Sequence, residues 1–447
     1  MNYIRIMFLL LAVAIMGMQS ACSSDDAIDA SEYGDCIVTA AKIGTLSRTI
    51  HTKTSAGKDT LYSVTVQGVY YPLSIDHING RIYNADSLPV GTRTDKTVFS
   101  AFSASGKLAL RSLVSGEDTT FTLTDSLDFS RERFVTVYAY DGIGSRTYSV
   151  ELRVHKEEAD SFRWTRMHAG EATLSALTDT RLVRWGSELL AYGIMEGKTC
   201  VVSADVAQPA SWNATDLSAE GLQPRSVVQM GQKLYALGTD GLLSSEDGRM
   251  WSLVPTDFRP EALVAAGRQS IYAQKEGTVY ASTDGVEWMA ESLDEPAEWP
   301  DGNYVSAAQL SRTDEQLENI LMVGSTAGQA KVWKRVVDLT GYENFGWFYL
   351  PAEDTNPYPC PNLQNASLMT YDTGSLLVGN TADGRPAIYQ SSDNGRTWIS
   401  DAIALPAGMT GTTVAATTDD DHYVWMICGG SGEVWRGRLN RLGWANQ

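Results

Sequence analysis

Aromatic side chains next to carboxylates are the residues of this sequence best suited to bind a ligand. Trp299 and Tyr358 lie in two long polar segments, Asp294–Asn303 and Pro351–Asn362, and Tyr304 directly follows the first segment. Exposed rings beside acidic groups suit stacking on sugar rings or holding a peptide. The sequence therefore predicts Trp299, Tyr304 and Tyr358 as ligand-binding residues. The alternative is that these rings only cover their own loops.

The cysteine and histidine residues do not follow the spacing of a metal site. The five histidines are scattered without an HExxH motif, and Cys36, Cys200, Cys360 and Cys428 are far apart. This pattern predicts free thiols, and a Cys200–Cys428 disulfide remains an open alternative. We assign no catalytic residue, metal ligand or cofactor. The 54 acidic residues could still include the pair of carboxylates, about 5–9.5 Å apart, that a glycosidase needs.

The N-terminal segment is typical of an exported protein. Arg5 precedes an apolar run, Ile6–Met18, that is shorter than the roughly 20 residues needed to span a bilayer. The run leads to Ser20-Ala21-Cys22, which resembles a bacterial lipobox with Gln19 in place of the usual Leu. This resemblance implies that residues 1–21 are a signal peptide and that Cys22 becomes the acylated first residue. Plain cleavage and secretion is the alternative.

The residues after Cys22 also bear on localisation. Ser23-Ser24-Asp25-Asp26 resembles the export signal that sends Bacteroidota lipoproteins to the outer face of the outer membrane. The resemblance implies an acidic tether over residues 22–32 and a protein anchored in the outer membrane that faces the cell exterior. Several acyl chains would hold it stably, so we expect it to contact the membrane only through its lipid.

The composition excludes several classes of protein. The 447 residues are 43% hydrophobic and 20% charged, which is enough apolar material for a sizeable core and rules out a disordered or collagen-like chain. The formal net charge is −19, so we expect no nucleic-acid partner and repulsion from anionic lipid surfaces.

Residues 33–156 alternate apolar and polar side chains in short runs. The clearest example is Phe134–Tyr140, the turn Asp141–Gly144 and then Thr147–Val154, which is typical of a β-hairpin. Several such runs predict an antiparallel β-sandwich. The closing stretch resembles the last strands of immunoglobulin-like and cadherin-like modules, which commonly serve as spacers. The charged segment Lys156–Asp160 is predicted to be a linker.

Residues 162–447 carry a repeat of four short strands, with an apolar second strand and a tryptophan near the fourth. The second strands read LLAYG, LYALG, IYAQ, ILMVG, LLVG and VWMICG, and the tryptophans are Trp212, Trp251, Trp288, Trp347, Trp398 and Trp444. This period is the signature of a β-propeller, with six blades or, if one repeat is degenerate, seven. Phe162–Met167 is predicted to be the outer strand that closes the ring. The predicted fold class is thus all-β, a sandwich followed by a propeller.

Three repeats share a serine, an aspartate, a glycine and a tryptophan in the turn before the fourth strand. They resemble the Asp-boxes of sialidase-like and sortilin-like propellers, in which these residues have a structural role. The resemblance assigns that role here to Ser245, Asp247, Gly248, Trp251, Ser282, Asp284, Gly285, Trp288, Ser392, Asp393, Gly395 and Trp398. The Arg-Ile-Pro motif of sialidases is absent from this sequence.

Blade topology predicts which face of the propeller binds a ligand. Turns between strands one and two and between strands three and four share one face, so the aromatic segments Asp294–Asn303 and Pro351–Asn362 would lie on the other. The whole chain resembles a family of Bacteroidota surface lipoproteins with an immunoglobulin-like module and an Asp-box propeller. Our leading hypothesis is a non-catalytic surface lipoprotein that binds a glycan or protein partner. The alternatives are a glycoside hydrolase with a carboxylate pair, and an envelope assembly factor.

Overall fold

The computed structural model describes residues 35–53, 58–219 and 221–444, and the chain divides into two compact units between Ala159 and Asp160. The predicted signal peptide, the tether and Cys22 lie outside the described residues. Within the described part, no helix is long and apolar enough to cross a membrane.

The first unit is built from short strands in three sheets. The strands are β1 (Val38–Ile43), β2 (Thr45–Lys53), β3 (Asp59–Gln67), β4 (Leu73–Asp76), β5 (Arg81–Asn84), β6 (Phe99–Ala104), β7 (Lys107–Arg111), β8 (Asp118–Thr119), β9 (Arg133–Tyr138) and β10 (Ser145–Glu151), with a 3-10 turn at Gly68–Tyr70. Six of them form one sheet in the order β4-β5-β10-β9-β7-β8, and the two further sheets are the pairs β1-β6 and β2-β3.

The predicted hairpin of the first unit is confirmed, since β9 and β10 pair antiparallel and place Thr136 opposite Thr147. Alternate residues of these strands point into a core that includes Val135, Val137 and Tyr148. β10 also pairs in parallel with β5, a contact that the alternation of side chains did not predict. The resemblance of this unit to an immunoglobulin-like module stays a prediction.

The second unit is a β-propeller of successive antiparallel sheets. Sheet 1 contains β12 (Thr178–Trp185), β13 (Glu188–Met195), β14 (Lys198–Asp205) and β15 (Asn213–Asp216). Sheet 2 contains β16 (Val228–Met230), β17 (Lys233–Gly238), β18 (Gly241–Ser245) and β19 (Ser252–Leu253). Sheet 3 contains β20 (Ala262–Ala266), β21 (Ile271–Lys275), β22 (Thr278–Ser282) and β23 (Met289–Ala290). Sheets 4 and 5 contain β24 (Gly302–Leu310), β25 (Leu317–Thr326), β26 (Gln329–Asp338) and β27 (Asn344–Leu350), then β28 (Gln364–Tyr371), β29 (Gly374–Asn380) and β30 (Pro386–Ser391).

Sheet 6 joins the two ends of the propeller. It contains β31 (Thr413–Thr418), β32 (Val424–Gly429) and β33 (Val434–Leu439), and its outer strand is β11 (Phe162–His168), which pairs antiparallel with β33. The strand predicted to close the ring does so. Short helical turns occupy Ala172–Ala176, Pro224–Ser226, Pro296–Glu298 and Asn440–Gly443.

Apolar side chains fill the spaces between neighbouring sheets. Each sheet is apolar on both faces, so successive residues of one strand enter different clusters: Leu189 packs toward sheet 6 and Leu190 toward sheet 2. A cluster with Leu182 and Trp425 joins sheet 6 back to sheet 1, which makes the arrangement a closed ring. Cys200 and Cys428 lie in different clusters and are free thiols, so the alternative of a Cys200–Cys428 disulfide is wrong.

Candidate functional site

The two faces of the propeller differ in what they carry. We call the face where first strands end the turn face, and the opposite one the link face. A cavity of about 930 Å³ on the turn face is lined by Trp185 and Gln232, from turns between first and second strands, and by Glu246 and Asp284, from turns between third and fourth strands. Both kinds of turn therefore share the turn face, as the blade topology predicted.

The Ser-Asp-Gly-Trp turns are closed by their own side chains. In the turn after β22, Ser282 Oγ accepts a hydrogen bond from Gly285 N at 2.8 Å, and Asp284 Oδ1 accepts from Val286 N and Glu287 N. Trp288 Nε1 donates to the Gly285 carbonyl at 3.0 Å. The backbone N–H groups of Val286 and Glu287 hold the pKa of Asp284 below its usual value of 3.8.

The turn after β18 repeats this pattern, and the turn after β30 corrects one prediction. Ser245 accepts from Gly248 N at 2.8 Å, and Trp251 Nε1 donates to the Gly248 carbonyl. After β30, however, the serine that accepts from Gly395 N and donates to Asp393 is Ser391. The predicted Ser392 is exposed. Trp398 Nε1 donates to the Gly395 carbonyl at 3.0 Å.

These turns also attach each sheet to the one before it. Gly248 and Gly395 have φ angles of 74° and 90°, and a Cβ on either would lie within 3 Å of a leucine side chain of the preceding sheet. Tyr192 OH of sheet 1 donates to the Gly248 carbonyl at 2.8 Å. The turns are therefore joints between sheets, and their aspartates are engaged in backbone hydrogen bonds.

The central channel opens on the turn face into a second cavity, of about 680 Å³. We call it the arginine cavity. Its wall draws on all six sheets, and its charged side chains are Arg181, Arg184, Arg268, Glu318 and Asp420. These residues are far apart in the sequence, and they come from different positions in their sheets. Arg184 and Arg268 lie at or just after the end of a first strand, and Asp420 lies in the turn after β31. Arg181 lies within β12, and Glu318 lies at the start of the second strand β25.

One arginine of this cavity, Arg181, is partly buried and has unused hydrogen-bond donors. Its guanidinium makes no hydrogen bond or ion pair with any residue in the described ranges, and its Nε is buried without a partner. Burial and, to a smaller extent, the charge of the nearby Arg225 together lower the pKa of Arg181 to about 10. The group therefore remains a cation at neutral pH, with unused donors.

Arg225 crosses the channel next to Arg181. From the 3-10 turn before β16, its guanidinium donates to the Thr180 carbonyl of sheet 1 at 3.1 Å and to the Ala366 carbonyl of sheet 5 at 2.7 Å. Thr180 lines a cavity on the link face, of about 360 Å³, whereas Arg181 lines the arginine cavity. Arg225 thus lies between the two ends of the channel and adds positive charge beneath Arg181.

The acidic groups of the arginine cavity already contact other residues of the protein. Asp420 pairs with Arg184, with Nη2 and Oδ2 separated by 2.8 Å. Glu318 is 1% exposed, and both of its carboxylate oxygens accept from Arg268 N, at 3.1 and 3.2 Å. Burial raises the pKa of Glu318 above its usual value of 4.5.

The aromatic residues predicted to bind ligand lie away from these cavities. Trp299 is partly buried, with its ring centroid 4.9 Å from that of Trp333, and its Nε1 donates to Gln274 Oε1 at 3.0 Å. Tyr304 OH donates to the same Gln274 oxygen, so Trp299 and Tyr304 are brought together. Tyr358 is 53% exposed in the segment after β27, apart from that pair.

Comparison with known protein families gives two adjoining matches. Residues 158–447 match the DUF6242 beta propeller domain, and residues 41–152 match the Domain of unknown function (DUF6242) N-terminal domain. The chain belongs to the DUF6242 family. No curated protein matches it.

Solved structures resemble this DUF6242 chain only distantly. A putative gluconolactonase is 12% identical, covers 63% of this chain and 93% of its own, and has a TM-score of 0.38. A mutant of AofleA from Arthrobotrys oligospora is 13% identical, with coverages of 69% and 86% and a TM-score of 0.35. An endo-1,4-beta-xylanase from Bacteroides thetaiotaomicron is 12% identical, with coverages of 60% and 86% and a TM-score of 0.31.

The arginine cavity of the DUF6242 propeller was missed by the sequence reasoning. Part of the signal was available, because the residues that end first strands converge around the axis of a propeller. Arg184 lies one residue from the end of β12, and Arg268 lies two residues after β20. Charges at these positions indicate Arg184 and Arg268, but they do not indicate Arg181 within β12 or Glu318 at the start of the second strand β25.

Proposed function

We propose that this chain is a non-catalytic surface lipoprotein whose propeller binds a glycan or a protein segment in the arginine cavity. The observation that carries the proposal is the unpartnered guanidinium of Arg181 in a cavity of about 680 Å³. Ligand sites commonly have about 300–1,000 Å³ and a few convergent polar groups. Because a buried donor without a partner costs free energy, a ligand that supplies an acceptor would be bound favourably.

The same proposal includes an anchor at Cys22. The apolar run that ends before Cys22, and the acidic residues after it, support acylation and placement at the outer face of the outer membrane. The N-terminal unit would then separate the propeller from the membrane surface. A spacer of this kind would leave the propeller free to meet a ligand outside the cell.

Metabolic labelling with palmitate tests the anchor. We expect label on the wild-type chain and on Cys36→Ser, which serves as the matched control, and none on Cys22→Ser, because only Cys22 follows the lipobox-like segment. Surface proteolysis of intact cells then tests the orientation. Label that persists on Cys22→Ser would reject the anchor, and protection from protease would reject the outward-facing location.

A blocking substitution tests the binding site. Gln232 is exposed at the arginine cavity, so Gln232→Trp should fill its mouth without disturbing the core. Thr412→Trp is the matched control, because Thr412 is exposed and lines the cavity on the link face. Glycan arrays and pull-down from the native envelope should lose their signal with Gln232→Trp and keep it with Thr412→Trp. If Thr412→Trp loses the signal and Gln232→Trp keeps it, or if Tyr358→Ala loses the signal, the ligand binds on the link face instead.

Glycoside hydrolysis is the second candidate function, and Glu318 is the observation that favours it. A buried carboxyl group with a raised pKa has the property of a general acid, and Asp420 provides a second carboxylate in the same cavity. Release of reducing sugar from an array of polysaccharides would be the readout. If wild type cleaves a substrate and Glu318→Gln does not, the chain is an enzyme and the non-catalytic proposal is rejected.

A further inference from the structure

The arginine cavity concentrates positive charge in an acidic protein. The chain has a formal net charge of −19, yet the cavity wall contains three arginines and two acidic residues, and Arg225 lies directly beneath. One arginine, Arg184, is paired with Asp420, and both carboxylate oxygens of Glu318 accept hydrogen bonds from the backbone N–H of Arg268. The remaining charged side chains of the wall are Arg181, Arg268 and one carboxylate, Glu318, so the cavity keeps an excess of positive charge.

We propose that the ligand is an acidic saccharide whose carboxylate or sulfate group is bound between Arg181 and Arg268. This inference rests on the proposed function and specifies its ligand. Arginine presents its N–H groups as a planar fork that matches two oxygens of an oxyanion. A ligand oxyanion would pair with the unused donors of Arg181 and would restore charge balance inside the channel.

The position of Arg268 supports its role in binding an anion. Its backbone N–H is committed to Glu318, which fixes the turn after β20 at the cavity wall, while its guanidinium has no hydrogen-bond or ion-pair partner among the described residues. Arg268 also lines the neighbouring cavity of about 930 Å³, so its charge lies where the two cavities meet. An oxyanion bound there would leave the rest of the ligand room on both sides.

The remaining lining favours a sugar over an acidic peptide. Gln309, Thr417 and Thr418 line the arginine cavity with amide and hydroxyl groups that make no other described hydrogen bond, and these groups suit sugar hydroxyls. Trp185 lines the neighbouring cavity, where its ring could stack on a pyranose face. The amide and hydroxyl groups line the same cavity as Arg268, and Trp185 lines the neighbouring cavity that Arg268 also lines.

Titration calorimetry on the chain lacking residues 1–21, with matched probes, tests the inference. Trigalacturonate carries carboxylates, its methyl ester is the same saccharide without charge, and neocarrabiose 4-sulfate carries sulfate without carboxylate. We expect binding of trigalacturonate or the sulfated saccharide and at least tenfold weaker binding of the methyl ester, since a hydrogen bond to a charged group is worth about that factor. The affinity should also fall with added salt.

Substitutions then assign the arginines. Arg181→Gln and Arg268→Gln should each weaken binding at least tenfold. Arg181→Lys should weaken binding less, because lysine keeps the positive charge, although it lacks the planar pair of N–H donors. Arg385→Gln is the control of equal charge change, because Arg385 is 81% exposed in the turn before β30, on the link face. It should leave the affinity unchanged. Thermal unfolding of each variant verifies the fold.

Three outcomes would overturn the inference in different ways. Equal binding of trigalacturonate and its methyl ester would reject recognition of the charge. Tighter binding of hexaglutamate than of any acidic saccharide on an array would assign an acidic peptide instead. If no acidic saccharide binds while Gln232→Trp still abolishes capture of an envelope component, the inference fails and the proposed site survives. If no acidic saccharide binds and Gln232→Trp does not change the capture of an envelope component, the acidic-saccharide inference and the proposed binding site both fail.

Discussion

At the scale of single residues, Ser391 holds its turn together through one buried hydroxyl. Its Oγ donates to Asp393 and accepts from Gly395 N, and the residue is 1% exposed. We expect Ser391→Ala to lower the free energy of unfolding by about 1–3 kcal/mol, because Asp393 and Gly395 lose a buried partner. The neighbouring Ser392→Ala should change it by less than about 0.5 kcal/mol. Urea unfolding followed by tryptophan fluorescence measures both, and equal losses would contradict this assignment.

The sequence contained the information needed to choose between these serines. Ser245 and Ser282 each lie two residues before the aspartate of their turn, and Ser391 has that spacing to Asp393 whereas Ser392 does not. Ser392 was predicted because it lies three residues before its glycine, as Ser245 and Ser282 do. Ser391 lies four residues before Gly395, because the third turn has one more residue between its aspartate and its glycine. The contacts of Trp299 and Tyr304 with Gln274 had no comparable signal, because Gln274 belongs to the preceding sheet.

Glu318 gives a prediction about pH. Its pKa is raised by burial, so the folded state binds this proton more tightly than the unfolded state, whose pKa is near 4.5. The free energy of unfolding contributed by this group therefore falls as the pH rises through and above 4.5. Glu318→Gln stays neutral, so its melting temperature relative to wild type should increase between about pH 4 and pH 8.

Differential scanning calorimetry across that pH range measures the effect. Glu353→Gln is the control, because Glu353 is exposed in the segment after β27. It should follow the wild-type pH dependence. If the melting temperatures of Glu318→Gln and wild type differ by the same amount at every pH, the Glu318 carboxyl group has the same pKa in the folded and unfolded states.

At the scale of elements, the turn glycines determine how sheets meet. Gly395 and Gly384 both have positive φ angles, 90° and 82°, but a Cβ at Gly395 would lie 2.7 Å from Leu321 Cδ1, whereas one at Gly384 would meet nothing within 4 Å. Gly384→Ala should cost about 1 kcal/mol for the backbone alone. Gly395→Ala should cost a further 1–3 kcal/mol or so because it overpacks the joint with sheet 4.

Chemical unfolding of the two alanine variants separates backbone strain from packing. If both lose the same free energy, the joint between sheets 4 and 5 can relax around the added methyl group. Gly384→Ala serves as the control for Gly395→Ala, since both glycines have a positive φ angle and only Gly395 has close neighbours.

Strand positions were predictable from the sequence where one pattern dominated. The second strands are apolar because both faces of a sheet are buried, and the predicted LLAYG run lies within β13. The pairing of β5 with β10 was not predictable, because side-chain alternation specifies a face and not a partner. Trp444 lies beyond β33, and the outer strand of sheet 6 carries Trp164 instead.

At the scale of the whole molecule, β11 closes the ring. Its pairing with β33 covers the outer edge of sheet 6, and Trp164 Nε1 donates to the Ala404 carbonyl of the preceding repeat at 2.8 Å. We expect deletion of Phe162–His168 to lower the melting temperature by several degrees or more, because an unpaired edge and apolar surface are exposed. Circular dichroism during heating measures the change.

A synthetic peptide of residues 161–170 provides the control for that deletion. Added in excess, it should bind the open edge beside β33 and restore part of the lost stability, since ligand binding to the folded state is stabilising. A deleted chain that melts at the wild-type temperature would mean that the ring is held by its inter-sheet clusters alone. The charge of the channel, by contrast, emerges only when the sheets are arranged around one axis.

Ring closure by β11 also sets an order of events during biosynthesis. The strand that ends at His168 leaves the ribosome long before its partner, which begins at Val434. Until the last repeat has been made, the early strand has no neighbour on β33, and an exposed edge invites pairing with other chains. The ring is therefore completed in a late step of synthesis, and the segment from β31 onward governs when the protein becomes resistant to proteases.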